Sequence, residues 1–103
     1  MAVIFHVLKE EFERLQETES GYSKAIADMP RGTPRILQRR DKNYLYLEYR
    51  DGDRIFHDYI APQGSDKAKE VLEKVAQRKR YEKLLKETKS ALKDVRKALR
   101  GKI

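Results

Sequence analysis

The chain has 103 residues, 24 Lys plus Arg against 17 Asp plus Glu, two His, no Cys and no Trp, for a formal net charge of +7. That length suits one domain with one modest core, and the missing cysteines exclude disulfide scaffolds, thiolate zinc sites and cysteine nucleophiles. No apolar run approaches the ~18 residues of a membrane span, and the opening MAVIFHVL is too short and too quickly followed by Lys9-Glu10-Glu11 for a secretory signal. A soluble cytoplasmic protein with no membrane partner is the expectation.

In chain order, the first element is a helix over residues 1–29. Ile4, Leu8, Phe12, Leu15, Tyr22, Ile26 and Met29 recur at steps of three and four, with Val7 beside them. Glu19 interrupts that stripe and Gly21 follows, so the helix is either continuous or bent near Glu19-Ser20-Gly21. Pro30 and Pro34 end it. The period then falls to two. Arg35–Arg40 forms a first strand, Asp41-Lys42-Asn43 a turn, Tyr44–Arg50 a second strand rich in tyrosine and leucine, and Arg54–Ile60 a third, all within a meander over 35–61. Leu45, Leu47 and Tyr49 share one face; Tyr44, Tyr46, Glu48 and Arg50 share the other. A two-residue Asp51-Gly52 loop would pair Leu47 with Phe56 and Tyr46 with His57; a three-residue loop would set His57 opposite Leu47. The first keeps Phe56 on the leucine face and is preferred.

Pro62-Gln63-Gly64-Ser65 closes the sheet, and Ser65 or Asp66 caps a helix over 65–100 that contains neither Gly nor Pro. Ala68, Val71, Leu72, Val75 and Ala76 form a broad face suited to covering a sheet. Further on, Tyr81, Leu85, Thr88, Leu92, Val95 and Leu99 form a narrow coiled-coil-like seam. That seam needs a partner helix, supplied either by the first helix or by a second copy. The fold class is therefore α+β: a helix, a three-stranded antiparallel meander and a long basic helix in a single domain.

Charge is unevenly laid out, with a net of −3 over residues 1–30, +1 over 31–66 and +9 over 67–103. A basic tail attracts polyanions such as DNA or RNA, or else complements the acidic first third. On the last helix the candidate phosphate contacts are Arg78, Lys79, Arg80 and Lys83, followed by Lys86, Arg96, Lys97, Arg100 and Lys102. Glu70, Glu73, Glu82, Glu87 and Asp94 interleave with these basics, and Glu70–Lys74 and Glu82–Lys86 are ordinary i,i+4 pairs of a solvated face. On the sheet the candidates are Arg35, Arg39, Arg40, Tyr44, Tyr46 and Arg50, with His57 or Tyr59 adjoining; the competing reading packs those tyrosines under a helix. His57-Asp58 and the distant His6 lack the ligand number and spacing of a metal or catalytic centre, and no phosphate-cradling glycine loop is present. The expectation is a protein that is not an enzyme and needs no cofactor.

The order helix, Arg-Gly-Thr-Pro-Arg-Ile, Asn-Tyr-Leu-Tyr-Leu-Glu-Tyr-Arg-Asp-Gly-Asp-Arg, Asp-Tyr-Ile-Ala-Pro, basic helix resembles a group of small prokaryotic proteins, some encoded near mobile elements. Several of them carry cysteines before the tyrosine strand; this chain has none, so no metal site carries over. Residues 35–76, with an Arg-rich first strand, aromatic second strand, tight Asp-Gly turn and following helix, also resemble the arm-type DNA-binding domain of tyrosine recombinases. That resemblance implies Arg35, Arg39, Arg40, Tyr44, Tyr46 and Arg50 as the contacting set on a sheet that enters the major groove, with Tyr44 in the family's aromatic position. No recombinase catalytic region is present. The leading functional expectation is a nucleic-acid-binding module. The other is a structural or protein-interaction module that self-associates as a homodimer through Tyr81, Leu85, Leu92, Val95 and Leu99.

Overall fold

A computed structural model describes residues 2–101. Five elements follow in order: α1 (Ala2–Ala27), β1 (Thr33–Arg39), β2 (Lys42–Asp51), β3 (Arg54–Pro62) and α2 (Asp66–Arg100). This is the expected α+β layout. The residues group into two compact units: Met29–Lys79, and Met1–Asp28 with Arg80–Ile103. The first half of α2 belongs to the sheet unit and its second half to the helical unit.

In the sheet unit the strands lie in the order β1-β2-β3, all antiparallel. Alternation along β2 sends Leu45 and Leu47 to one side, where both are buried. Leu45 is fully buried against Ala61 and Ala68, with Ile60 and Val71 packed around them. The first turns of α2 therefore cover the leucine face, since Ala68 and Val71 recur at helical spacing and Val75 is buried one turn further on. Burying one leucine in this way contributes about 2 kcal/mol. Ser65 is the N-cap: its Oγ accepts from the Ala68 backbone N at 3.2 Å. Arg78 donates from its guanidinium to the carbonyl of Met29 at 3.0 Å, tying the segment that precedes β1 to the helix. Nearer the second hairpin the same face carries an aromatic row, with the Arg31 guanidinium 4.5 Å above the Tyr49 ring and Tyr49 stacked on Phe56 at 5.5 Å.

Register departs from the sequence expectation at both hairpins. The first turn is Arg40-Asp41, not Asp41–Asn43, so Lys42 and Asn43 belong to β2. The second loop is Gly52-Asp53, which pairs Tyr49 with Phe56 and Glu48 with His57. Of its two residues only Gly52 has positive φ (64°), the mark of a type II′ turn with glycine in the first position; the expected Asp51-Gly52 loop puts it second. Phe56 still lies on the leucine face, but beside Tyr49 rather than Leu47. A bulge between Leu45 and Tyr46 then brings Ala61 opposite Leu45.

In the helical unit α1 is unbroken through Glu19-Ser20-Gly21. The partner of the α2 seam is α1: the Tyr22 and Tyr81 rings lie 5.6 Å apart, and the Arg96 guanidinium sits 5.5 Å from the Phe12 ring. Leu15, Thr88 and Leu92 are buried, and the Thr88 hydroxyl is satisfied by donating to the Leu84 carbonyl at 2.8 Å. Ile4, expected within the buried stripe, and Val7, expected beside it, are exposed. The stripe reaches the first turn three residues before Leu8, at the half-buried Phe5, rather than four before it.

Candidate nucleic-acid interface

With the leucine face under α2, alternation leaves the opposite face of the sheet open. Cross-strand partners share a face, so the register alone assigns its members. Arg35 lies beside Tyr46, Arg39 beside Lys42, and Leu37 beside Tyr44. On the other side of β2, Tyr46 neighbours Tyr59, Glu48 neighbours His57, and Arg50 neighbours Ile55. Five of the six sheet residues singled out from the sequence (Arg35, Arg39, Tyr44, Tyr46 and Arg50) are thus brought together on one surface. The sixth, Arg40, follows β1 in the turn. His57 and Asp58, adjacent in sequence, point to opposite faces.

Three neighbourhoods make up this surface. At its centre Glu48 is the one carboxylate among the described residues that the register places on the face. Its Oε2 accepts from Arg35 Nε at 3.2 Å and from His57 Nε2 at 3.0 Å, a bridge across all three strands. Those bonds, Arg35 first and then His57, hold the Glu48 carboxyl below its ordinary pKa. Alongside, Tyr59 gathers two other tyrosines: its ring centroid is 5.5 Å from that of Tyr46, edge to face, and 5.9 Å from that of Tyr44. The rings turn against one another instead of lying side by side as a stacking platform.

The β1–β2 turn forms the third. Arg39 and Lys42 are direct cross-strand partners, both exposed, and like charges in that relation repel. Between them the backbone of Arg40 adopts φ 58°, a left-handed conformation that glycine or asparagine occupies far more easily than arginine. Arg39, Arg40, Asp41, Lys42 and Tyr44 line a shallow recess of about 280 Å³ here. The expected turn Asp41-Lys42-Asn43 takes Lys42 out of the strand; the signal that could have found it is the two-residue hairpin alternative.

On α2, Lys79, Arg80 and Lys83 are exposed, whereas Arg78 is half-buried and engaged with Met29. Lys102 lies outside the described residues. Tyr81, Leu85, Leu92, Val95 and Leu99, the seam that could have joined two copies, are all buried or half-buried in the helical unit. No group of three or more His, Asp or Glu side chains that could hold a metal occurs among the described residues, and no described helix is long and apolar enough to cross a membrane. Comparison of the chain with protein-family models, with curated proteins and with solved structures gave no match.

Proposed function

We propose that this protein is a non-enzymatic nucleic-acid-binding module whose contact surface is the open Arg/Tyr face of the sheet. The observation that carries the reading is the arrangement of cations at the β1–β2 turn. Arg39 faces Lys42 directly, and Arg40 occupies a backbone conformation unfavourable to it. Both features cost folding free energy, and a bound phosphate would offset the first by neutralising the pair. Across the face four cations (Arg35, Arg39, Lys42 and Arg50) stand against one carboxylate, and that carboxylate is already engaged by Arg35 and His57.

The mechanism is phosphate neutralisation with release of condensed counterions. The mutual packing of the tyrosines favours contact with the sugar–phosphate backbone over base stacking, so the reading expects a strong salt dependence and little base preference. The test is fluorescence-anisotropy titration of a mixed-sequence DNA duplex and a single-stranded RNA at several salt concentrations. Binding that weakens steeply with salt and is lost in Arg39→Glu/Lys42→Glu supports the proposal. A flat titration at ~50 mM salt refutes it.

A further inference from the structure

The two edges of the sheet are protected very differently. Natural edge strands are blunted by proline, bulges or repelling charge. On β1, Pro34 offers no N–H, and an antiparallel copy centred on Leu37 would set Arg35 against Arg39. On β3, every side chain from Arg54 to Tyr59 is exposed, and the bulge comes only beyond Tyr59. Three large apolar side chains on this edge face water: Ile55 (53% exposed), Phe56 (38%) and Tyr59 (54%).

We infer that β3 is a dimerisation edge, joining two copies of this chain by antiparallel β3–β3 pairing centred on Phe56. The sequence Arg54-Ile55-Phe56-His57-Asp58 is charge-complementary to its own reverse. A two-fold axis perpendicular to the sheet at Phe56 puts Phe56 beside Phe56 of the second copy. On the same face it sets each Arg54 opposite the other copy's Asp58, giving two ion pairs that flank an aromatic pair. Within one chain Arg54 lies opposite Asp51 across the hairpin and Asp58 lies opposite Leu47, while Arg54 and Asp58 are four strand positions apart, about 13 Å, too far to meet each other. Centring on His57 instead would lose both ion pairs and stack imidazole on imidazole. The chosen register also extends the row of Arg31, Tyr49 and Phe56 into the second copy. The axis keeps both open faces on one side of a six-stranded sheet, which doubles the cationic surface. The pairing itself does not depend on the nucleic-acid reading.

Sedimentation equilibrium of the nuclease-treated full chain, free of nucleic acid, tests the inference. The unaltered chain is expected to show a monomer–dimer equilibrium. Arg54→Asp alone and Asp58→Arg alone place like charges opposite each other twice per dimer, and each is expected to weaken association by roughly tenfold or more. Mixing the two variants restores both ion pairs in a heterodimer, so association should return. Phe56→Cys should form an intermolecular disulfide under mild oxidation and His57→Cys should not, against a chain with no native cysteine. Circular dichroism confirms that each variant is folded. A chain that stays monomeric throughout, single variants that associate as the unaltered chain does, or a mixture that fails to recover would each overturn the pairing. None of these outcomes decides whether the open face binds nucleic acid, which the salt titration reads separately.

Discussion

Replacing Glu48 with glutamine gives a quantitative test of the proposed interface. Arg39, Lys42 and Arg50 have no carboxylate as cross-strand partner, whereas Arg35 is bound to Glu48. If the first three cations each neutralise one phosphate, the slope of log K against log salt on duplex DNA is about −0.9 × 3, or roughly −2.7. Raising salt from 50 to 200 mM then weakens binding about 40-fold. Glu48→Gln keeps the size of the side chain but removes its charge, making Arg35 a fourth contact. The slope steepens to about −3.6 and the same salt step costs about 150-fold. With the two lines meeting near 1 M salt, the variant should bind about 15-fold more tightly at 50 mM. A contact from Arg40, or any other that does not involve Glu48, adds equally to both slopes, so the difference of about 0.9 per protomer survives whatever their number. Anisotropy titrations at four or more salt concentrations measure it. Parallel lines for the two proteins would refute the placement of Arg35 and Glu48 at the interface.

Other outcomes follow from the same structure. Leu45→Ala empties the centre of the sheet core and is expected to cost about 2–5 kcal/mol, read as a fall of about 1–3 M in the urea midpoint. Arg40→Gly relieves the positive φ, so the melting temperature should rise, corresponding to about 1 kcal/mol, while nucleic-acid affinity falls. Because the folded-state pKa of Glu48 is depressed, its ionic contribution to stability is present above the ordinary carboxylate value and is lost as pH falls through the lowered one. Urea midpoints of the unaltered chain and Glu48→Gln should therefore differ at pH 7 and converge as the pH falls through the lowered Glu48 value.

Hydrophobic period made much of this fold legible in advance. The alternation Tyr44-Leu45-Tyr46-Leu47 separates a core face from a polar one whatever the exact pairing, because side-chain direction is a property of one strand. That is why Tyr44, Tyr46 and Arg50 could be grouped before any register was known, whereas setting Arg35 and Arg39 beside them takes the β1–β2 pairing. Register depends instead on loop dihedral angles. Asp51-Gly52-Asp53 is compatible with glycine in either loop position, and only the φ angles of the folded chain decide. The contact of Glu48 with His57 was hidden for the same reason, since the expected register sets His57 beside Tyr46 and the observed one sets it two positions along, beside Glu48. The partner of the Tyr81–Leu99 seam was also open, because a narrow apolar stripe specifies that a helix is needed and not which one. At the N-terminus nearly every residue is apolar, so the sequence offered no polar neighbour to choose Phe5 over Ile4.

The bulge near Ile60 has a consequence for how this protein can change over evolutionary time. Without Ile60, Ala61 would still fall opposite Leu45 and Tyr59 opposite Tyr46, now in an uninterrupted ladder. A loss of one codon at this position would therefore preserve the identity of both faces and remove only the packing of one side chain. The same loss at Leu47 or His57 would reverse the facing of a half-strand, exchanging leucine for charge. Drift in the length of β3 can thus accumulate at Ile60 while the cationic surface stays intact.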